Sequence, residues 1–141
     1  MVKTSYIAHK LNQPLSTIQR RRRRLEDSSF LRRKYEIDVK QFGFRKADIL
    51  ISTLRGECLN VAKEIAVKHP SNNLEITQRV GDSKVNLVAQ AIYKDTKVLY
   101  NILEDIKGMK HVEDVEWSEI ISVVQKNESG VMLNLMRSRR Q

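Results

Sequence analysis

Leu74-Glu75-Ile76-Thr77-Gln78-Arg79-Val80-Gly81-Asp82-Ser83-Lys84-Val85-Asn86-Leu87-Val88-Ala89-Gln90-Ala91-Ile92 is the stretch on which the fold turns. Leu74 to Val80 alternates apolar and polar residues, the period of a half-buried strand. Gly81-Asp82-Ser83 has turn chemistry, and Val85 to Ile92 returns as the hairpin mate. Outward from this hairpin the period changes. Residues 57–69 hold Leu59, Ala62, Ile65 and Ala66 at helical spacing, with Pro70 as the stop. On the other side Thr96 can cap a helix whose stripe is Val98, Leu99, Ile102, Leu103 and Ile106, closed by Gly108. Further out, Lys46 to Leu54 is β-rich and apolar on both parities, which predicts a strand covered on both faces. Val112 to Val124 predicts the last strand, with Val115, Trp117, Ile121 and Val123 on one parity. The order is βαββαβ, a ferredoxin-like α+β unit with both helices on one face of the sheet. The other face keeps Leu50, Leu54, Val88 and Ile92, which a two-fold dimer would bury.

Before this body, Ile7, Ala8 and Leu11 fall on one face of a short helix, and Asn12-Gln13-Pro14-Leu15 reads as a turn that Pro14 enforces. Ser16 or Thr17 can cap a second helix running through Ile18-Gln19-Arg20-Arg21-Arg22-Arg23-Arg24-Leu25-Glu26. Two helices joined by such a turn outline a helix-turn-helix. At about 100° per residue, Ile18 and Leu25 define the inward face. Arg20, Arg23 and Ser16 fall opposite, with Gln19 and Arg24 on the flanks, while Arg21 and Arg22 straddle the packing seam. A merely solvated face would interleave lysine with glutamate, with less repulsion than five consecutive arginines.

Charge sharpens this. Of the net +9, residues 1–46 hold 13 basic and 4 acidic side chains, residues 47–126 hold 10 and 12, and residues 127–141 hold 3 and 1. A positive field concentrated at the head points to a polyanion, since a solubility surplus would be spread along the chain. No apolar run approaches the roughly 20 residues of a membrane span. Met1 to Tyr6 has no apolar core of a signal peptide, so a cytoplasmic protein is expected, in keeping with the single cysteine, Cys58.

Ile7-Ala8-His9-Lys10-Leu11, Ser16-Thr17-Ile18-Gln19-Arg20-Arg21, Leu25-Glu26-Asp27 and Phe30-Leu31 together resemble the helix-turn-helix of the Lrp/AsnC (feast/famine) transcriptional regulators. The resemblance covers residues ~4–125, the body matching by its order of elements. It implies a shortened, winged-helix-like helix-turn-helix head at residues 1–34, a linker strand at 35–44, an effector and oligomerisation domain at 45–126, and a basic tail at 127–141. It also implies double-stranded DNA as partner, in a homodimer, tetramer or octamer. Ser16, Thr17, Gln19, Arg20, Arg23 and Arg24 would contact DNA, with Arg32 and Arg33 on flanking phosphates. An amino-acid-like effector would meet the turn Gly81-Asp82-Ser83-Lys84; the same residues also read as an ordinary hairpin turn or a tetramer-forming loop. The chain departs from the family pattern at Arg22 (a small apolar residue), Ser29 (glycine) and Lys84 (an acid). The family also has a helix ahead of the motif, so the head is expected to be incomplete or to be supported by a partner subunit.

No cofactor and no metal are expected. His9, His69 and His111 lie in separate elements without ligand spacing, and no phosphate-binding glycine loop is present. Cys58 near a helix start reads better as a small packing residue than as a reactive thiol, and Trp117 as core or interface. The tail, Val131-Met132-Leu133-Asn134-Leu135-Met136 followed by arginines, fits an end strand, a helix, an oligomer contact or a frayed terminus. Two other functions are compatible with the sequence. One is a small-molecule-sensing or oligomerisation protein with a degenerate head. The other is a sirohaem-decarboxylase-like enzyme, which would have to draw on His69, His111, Arg55 and Arg79.

Overall fold

The structure, a computed structural model, describes residues 4–27 and 36–138. These form two compact units, one built on the described parts of Met1–Glu36 and Val123–Gln141, the other on Ile37–Ser122.

The second unit carries the sheet. Its elements are β1 (Arg45–Thr53), α3 (Cys58–Lys68), β2 (Asn73–Gln78), β3 (Leu87–Tyr93), α4 (Thr96–Lys107) and β4 (Val112–Ser118). The strands pair antiparallel in the order β2-β3-β1-β4, which is the ferredoxin-like arrangement that the βαββαβ order predicts. Alternation on the central strands decides which face takes the helices. Ala47, Ile49 and Ile51 of β1 and Leu87, Ala89, Ala91 and Tyr93 of β3 share one face. Against them pack Cys58, Val61 and Ile65 of α3 and Leu99, Ile102 and Ile106 of α4, with Met109 closing the end of the cluster. On the opposite face Val88 is already buried, Leu50 and Ile92 are half-buried, and Leu54 is exposed.

Three boundaries differ from the sequence reading. The cap of α4 is Asp95, whose Oδ1 accepts from the Val98 amide at 3.0 Å, so Thr96 is the first helical residue and not the cap. β4 ends at Ser118, six residues before the expected Val124. Beyond it Glu119 takes an ion pair with Arg45 at 2.6 Å, while Ile121 and Val124 are 99% and 95% exposed. Ile120 to Val124 has strand-forming residues but, among the described residues, no neighbouring strand to pair with, and strand propensity without a partner does not make a strand. The linker strand expected at 35–44 is likewise absent from its described part. Asp38 caps a 3-10 turn at Val39–Phe42 through the Lys40 amide at 3.3 Å, and Gly43 closes the turn with φ +78°.

The first unit contains α1 (Thr4–Leu11), α2 (Leu15–Asp27) and α5 (Glu128–Ser138). The sequence left the tail undecided; its described part is a helix. Met132 and Met136 of α5 are buried in one cluster with Ala8 of α1 and Ile18 of α2.

Burial sets the expected mutational costs. Ile106→Ala, at a fully buried site, should lower the unfolding free energy of this chain by about 2–5 kcal/mol. Val80→Ala, at a fully exposed site, should change it by no more than about 0.5 kcal/mol. Urea titration of both variants checks the contrast; equal losses would contradict this packing.

Candidate functional site

The helix-turn-helix is assembled by backbone chemistry at its turn. α1 ends on Asn12, whose φ of +52° lies in the left-handed region that asparagine tolerates better than most residues. The Gln13 amide donates to the Ala8 carbonyl at 3.1 Å and the Asn12 amide to the His9 carbonyl at 3.2 Å. This is the paired closure of a Schellman end. Pro14 then starts the next helix directly, its carbonyl accepting from the Ile18 amide at 3.2 Å. α2 therefore begins before Ser16 or Thr17 could cap it, and both residues lie in its first turn.

On α2, Ile18 is fully buried, Thr17 is half-buried, and Ser16, Gln19, Arg20, Arg23 and Arg24 are exposed. Arg21 is half-buried, with Nη1 enclosed and without a hydrogen-bond partner. Half-burial is what its angle beside the packing seam predicts, but the enclosed Nη1 means that the guanidinium is not wholly brought out at the edge. The side chains of Arg22 and Leu25, together with Arg32 and Arg33, lie outside the described residues.

A second feature lies wholly within the other unit. The turn Gly81–Lys84 borders an open, polar cleft of about 570 Å³, lined by Ser52, Thr53, Arg55, Asp82, Ser83, Lys84, Asn86, Glu113 and Asp114. Asn86 fastens its floor. Its Oδ1 accepts from the Thr53 amide at 3.0 Å and its Nδ2 donates to Thr53 Oγ1 at 2.9 Å. Its own amide donates to the Ile51 carbonyl at 3.1 Å. Cys58 is buried and its Sγ donates to the Asn86 carbonyl at 3.3 Å, a packing and bracing role rather than an exposed nucleophile. Gly81 adopts φ +106°, which side-chain-bearing residues rarely take, so the turn depends on glycine. The sequence reading found Asp82, Ser83 and Lys84. It missed Asn86, only two residues beyond the turn, and it missed Ser52, Thr53, Glu113 and Asp114 because strand ends distant in sequence bring these four there.

Of the residues weighed for tetrapyrrole chemistry, Arg55 lines the cleft, while His69, His111 and Arg79 do not. His69 Nε2 lies 2.6 Å from Asp105 Oδ2, and His111 lies 3.8 Å from Glu57. Arg79 Nε donates to Thr77 Oγ1 at 2.9 Å. Among the described residues no three metal-binding side chains converge, and no helix is long and apolar enough to cross a membrane.

Asp82 is held by the backbone of its own turn. Its Oδ1 accepts from the Lys84 amide at 2.8 Å and the Val85 amide at 2.9 Å, and these bonds hold its pKa below the usual aspartate range. As acid is added, the unfolded chain takes up this proton first. The aspartate's support for the turn is therefore complete above about pH 4 and fades as pH falls through the lower folded value. The amide shifts of Lys84 and Val85 should titrate together with a midpoint below about 3.9, and Asp82→Ala should abolish the transition. A midpoint at or above the ordinary value would show that the two bonds do not form.

No protein-family model and no curated protein matches the chain. Solved structures do. A transcriptional regulator of Neisseria meningitidis in complex with L-methionine aligns with TM-score 0.55 over 91% of this chain and 84% of its own, at 16% identity. A feast or famine regulatory protein of M. tuberculosis complexed with L-methionine aligns with TM-score 0.53 over 89% and 84%, at 18% identity. An AsnC family transcriptional regulator of Agrobacterium tumefaciens aligns with TM-score 0.53 over 91% and 84%, at 13% identity. All three are described as regulatory proteins, and the latter two by the group names that the head and body residues resemble. Along about nine-tenths of its length, this chain has the fold of the Lrp/AsnC regulators.

Proposed function

We propose that this protein is a DNA-binding transcriptional regulator of the Lrp/AsnC type, acting as a dimer or higher assembly with α2 in the major groove. One observation carries the reading, the sidedness of α2. Ile18 is fully buried while Gln19, Arg20, Arg23 and Arg24 stand in solvent on the outer side. A helix held by one apolar contact and lined outside with guanidinium groups suits a groove of base edges flanked by phosphates. Ser16 and Thr17 sit at its N-terminal end, where recognition helices approach bases. Arg32 and Arg33, assigned from the sequence alone, extend the positive track. Two-fold pairing through the sheet face that carries Leu50 and Ile92 would give the assembly two such helices, one for each half-site.

The cleft fits a small zwitterion. Arg55 and Lys84 can meet a carboxylate, and Asp82, Glu113 and Asp114 an ammonium group. Two proteins of this fold were solved with L-methionine, which makes an amino-acid-like effector the first ligand to try.

Binding to a duplex selected from a random pool should weaken steeply with salt. For about six neutralised phosphates the slope of log K against log[salt] should lie near −5. A flat response from low to physiological salt would refute the proposal. Arg20→Ala and Arg23→Ala should each cost about 1–3 kcal/mol on the selected duplex and narrow its advantage over random DNA. For the cleft, calorimetry with L-methionine and the other amino acids should find one that binds, and Arg55→Ala should weaken it about tenfold. Heat flat for every amino acid would leave the cleft as an ordinary hairpin surface.

A further inference from the structure

The buried cluster of the first unit draws half of its members from the far end of the chain. Ala8 and Ile18 come from α1 and α2, Met132 and Met136 from α5, and Leu11 and Leu133 pack against them. Met132 and Met136 are four residues apart and therefore project from one face of α5. That face meets a helix pair with little stability of its own. α1 has 8 residues and α2 has 13, lengths at which isolated helices are marginal in water. Five adjacent arginines on α2 repel one another besides.

α5 is specified as a helix by its own residues. Asn127 Oδ1 accepts from the Gly130 amide at 3.2 Å, and the Asn127 carbonyl accepts from Val131 at 3.2 Å, the pattern of an N-terminal cap. A Cβ at position 130 would sit 2.5 Å from that Oδ1, so glycine leaves room for the cap. Glu128 occupies the first turn and Arg137 the last, each matched to its end of the helix dipole.

We infer that α5 is a working part of the DNA-binding head: Met132 and Met136 are positioning residues that keep Ile18 buried and so fix the rotation of α2. The inference rests on the DNA-binding reading above. Each residue turns the helix by about 100°. Which arginines face outward therefore follows from where Ile18 is held, and the cluster that buries it includes a segment more than a hundred residues away in sequence.

The test is the double variant Met132→Lys/Met136→Lys in the full chain. It adds two positive charges, so electrostatics alone would tighten DNA binding. The inference predicts the opposite, affinity for the selected duplex lower by about tenfold or more. It also predicts trypsin cleavage within Arg20–Arg24 faster by about tenfold or more, while the Ile37–Ser122 unit stays resistant. Met132→Leu/Met136→Leu, close in volume, should retain both wild-type values. Arg137→Gln/Arg139→Gln/Arg140→Gln, which removes charge and leaves the apolar face, should leave cleavage at Arg20–Arg24 unchanged. Unchanged cleavage in the double lysine variant overturns the inference. So does a loss of affinity confined to the arginine triple variant, which would make the segment a DNA contact only. If the wild-type protein binds no duplex DNA, the regulator reading fails, and the cleavage rates alone still decide whether α5 holds α2.

Discussion

The Ile37–Ser122 unit depends on removing one face of β1 and β3 from water. Ile49, Ile51, Leu87, Ala89 and Ala91 are all but inaccessible, and Ile65, Leu99 and Ile106 cover them from the helices. Alanines at three of the sheet positions let the helices approach closely, while isoleucine and leucine fill the space between layers. Because strand side chains alternate faces, a one-residue slip in either central strand would turn this set toward solvent. Registry is therefore enforced by burial. The pairing of Ile49 with Ala89 and with Trp117, and of Ile76 with Ala89, leaves β2 and β4 on the outer edges.

That registry also builds the cleft. Ser52 and Thr53 are the last residues of β1, Asn86 immediately precedes β3, and Glu113 and Asp114 begin β4. Three strand ends arrive at one place because the sheet is antiparallel and its central strands are in register. Asn86 then locks the arrangement, linked to Thr53 by side-chain bonds in both directions and to Cys58 through its carbonyl. The lining carries charged side chains of both signs. Asp82 serves the turn as well as the lining, since its carboxylate is held by two backbone amides.

The head works on a smaller scale and with less apolar material. Ile18 alone, among the α2 side chains described, is fully buried, so one residue carries most of the orientation of a helix dominated by arginine. The Schellman closure at Asn12 aligns α1 with the start of α2 by backbone hydrogen bonds that need no core. The apolar support comes from Ala8 and Leu11 of α1 and from α5, whose unbranched methionines fill the remaining space.

The order and type of the sheet strands and the two helices between them, and which strand parity faces the helices, were legible in the sequence because each follows from local periodicity. So were the helix-turn-helix, from Pro14 and the spacing around Ile18, and the outward side of α2, from the angle between residues. The linker read as a strand at 35–44 was not, its described part being capped by Asp38 into a 3-10 turn. What else failed locally failed for want of a partner. Ile120 to Val124 has strand composition and, among the described residues, no strand to join, and Val131 to Met136 was equally good as strand or helix until a surface was available to pack against. Ser52, Thr53, Glu113 and Asp114 were not legible as cleft lining because they are gathered from separate strand ends. The sequence by itself determined the layers, the hairpin and the arginine face, all set by neighbours within a few residues. Only the tertiary structure decided that the C-terminal segment belongs to the head, because burying Met132 and Met136 requires apolar side chains more than a hundred residues away.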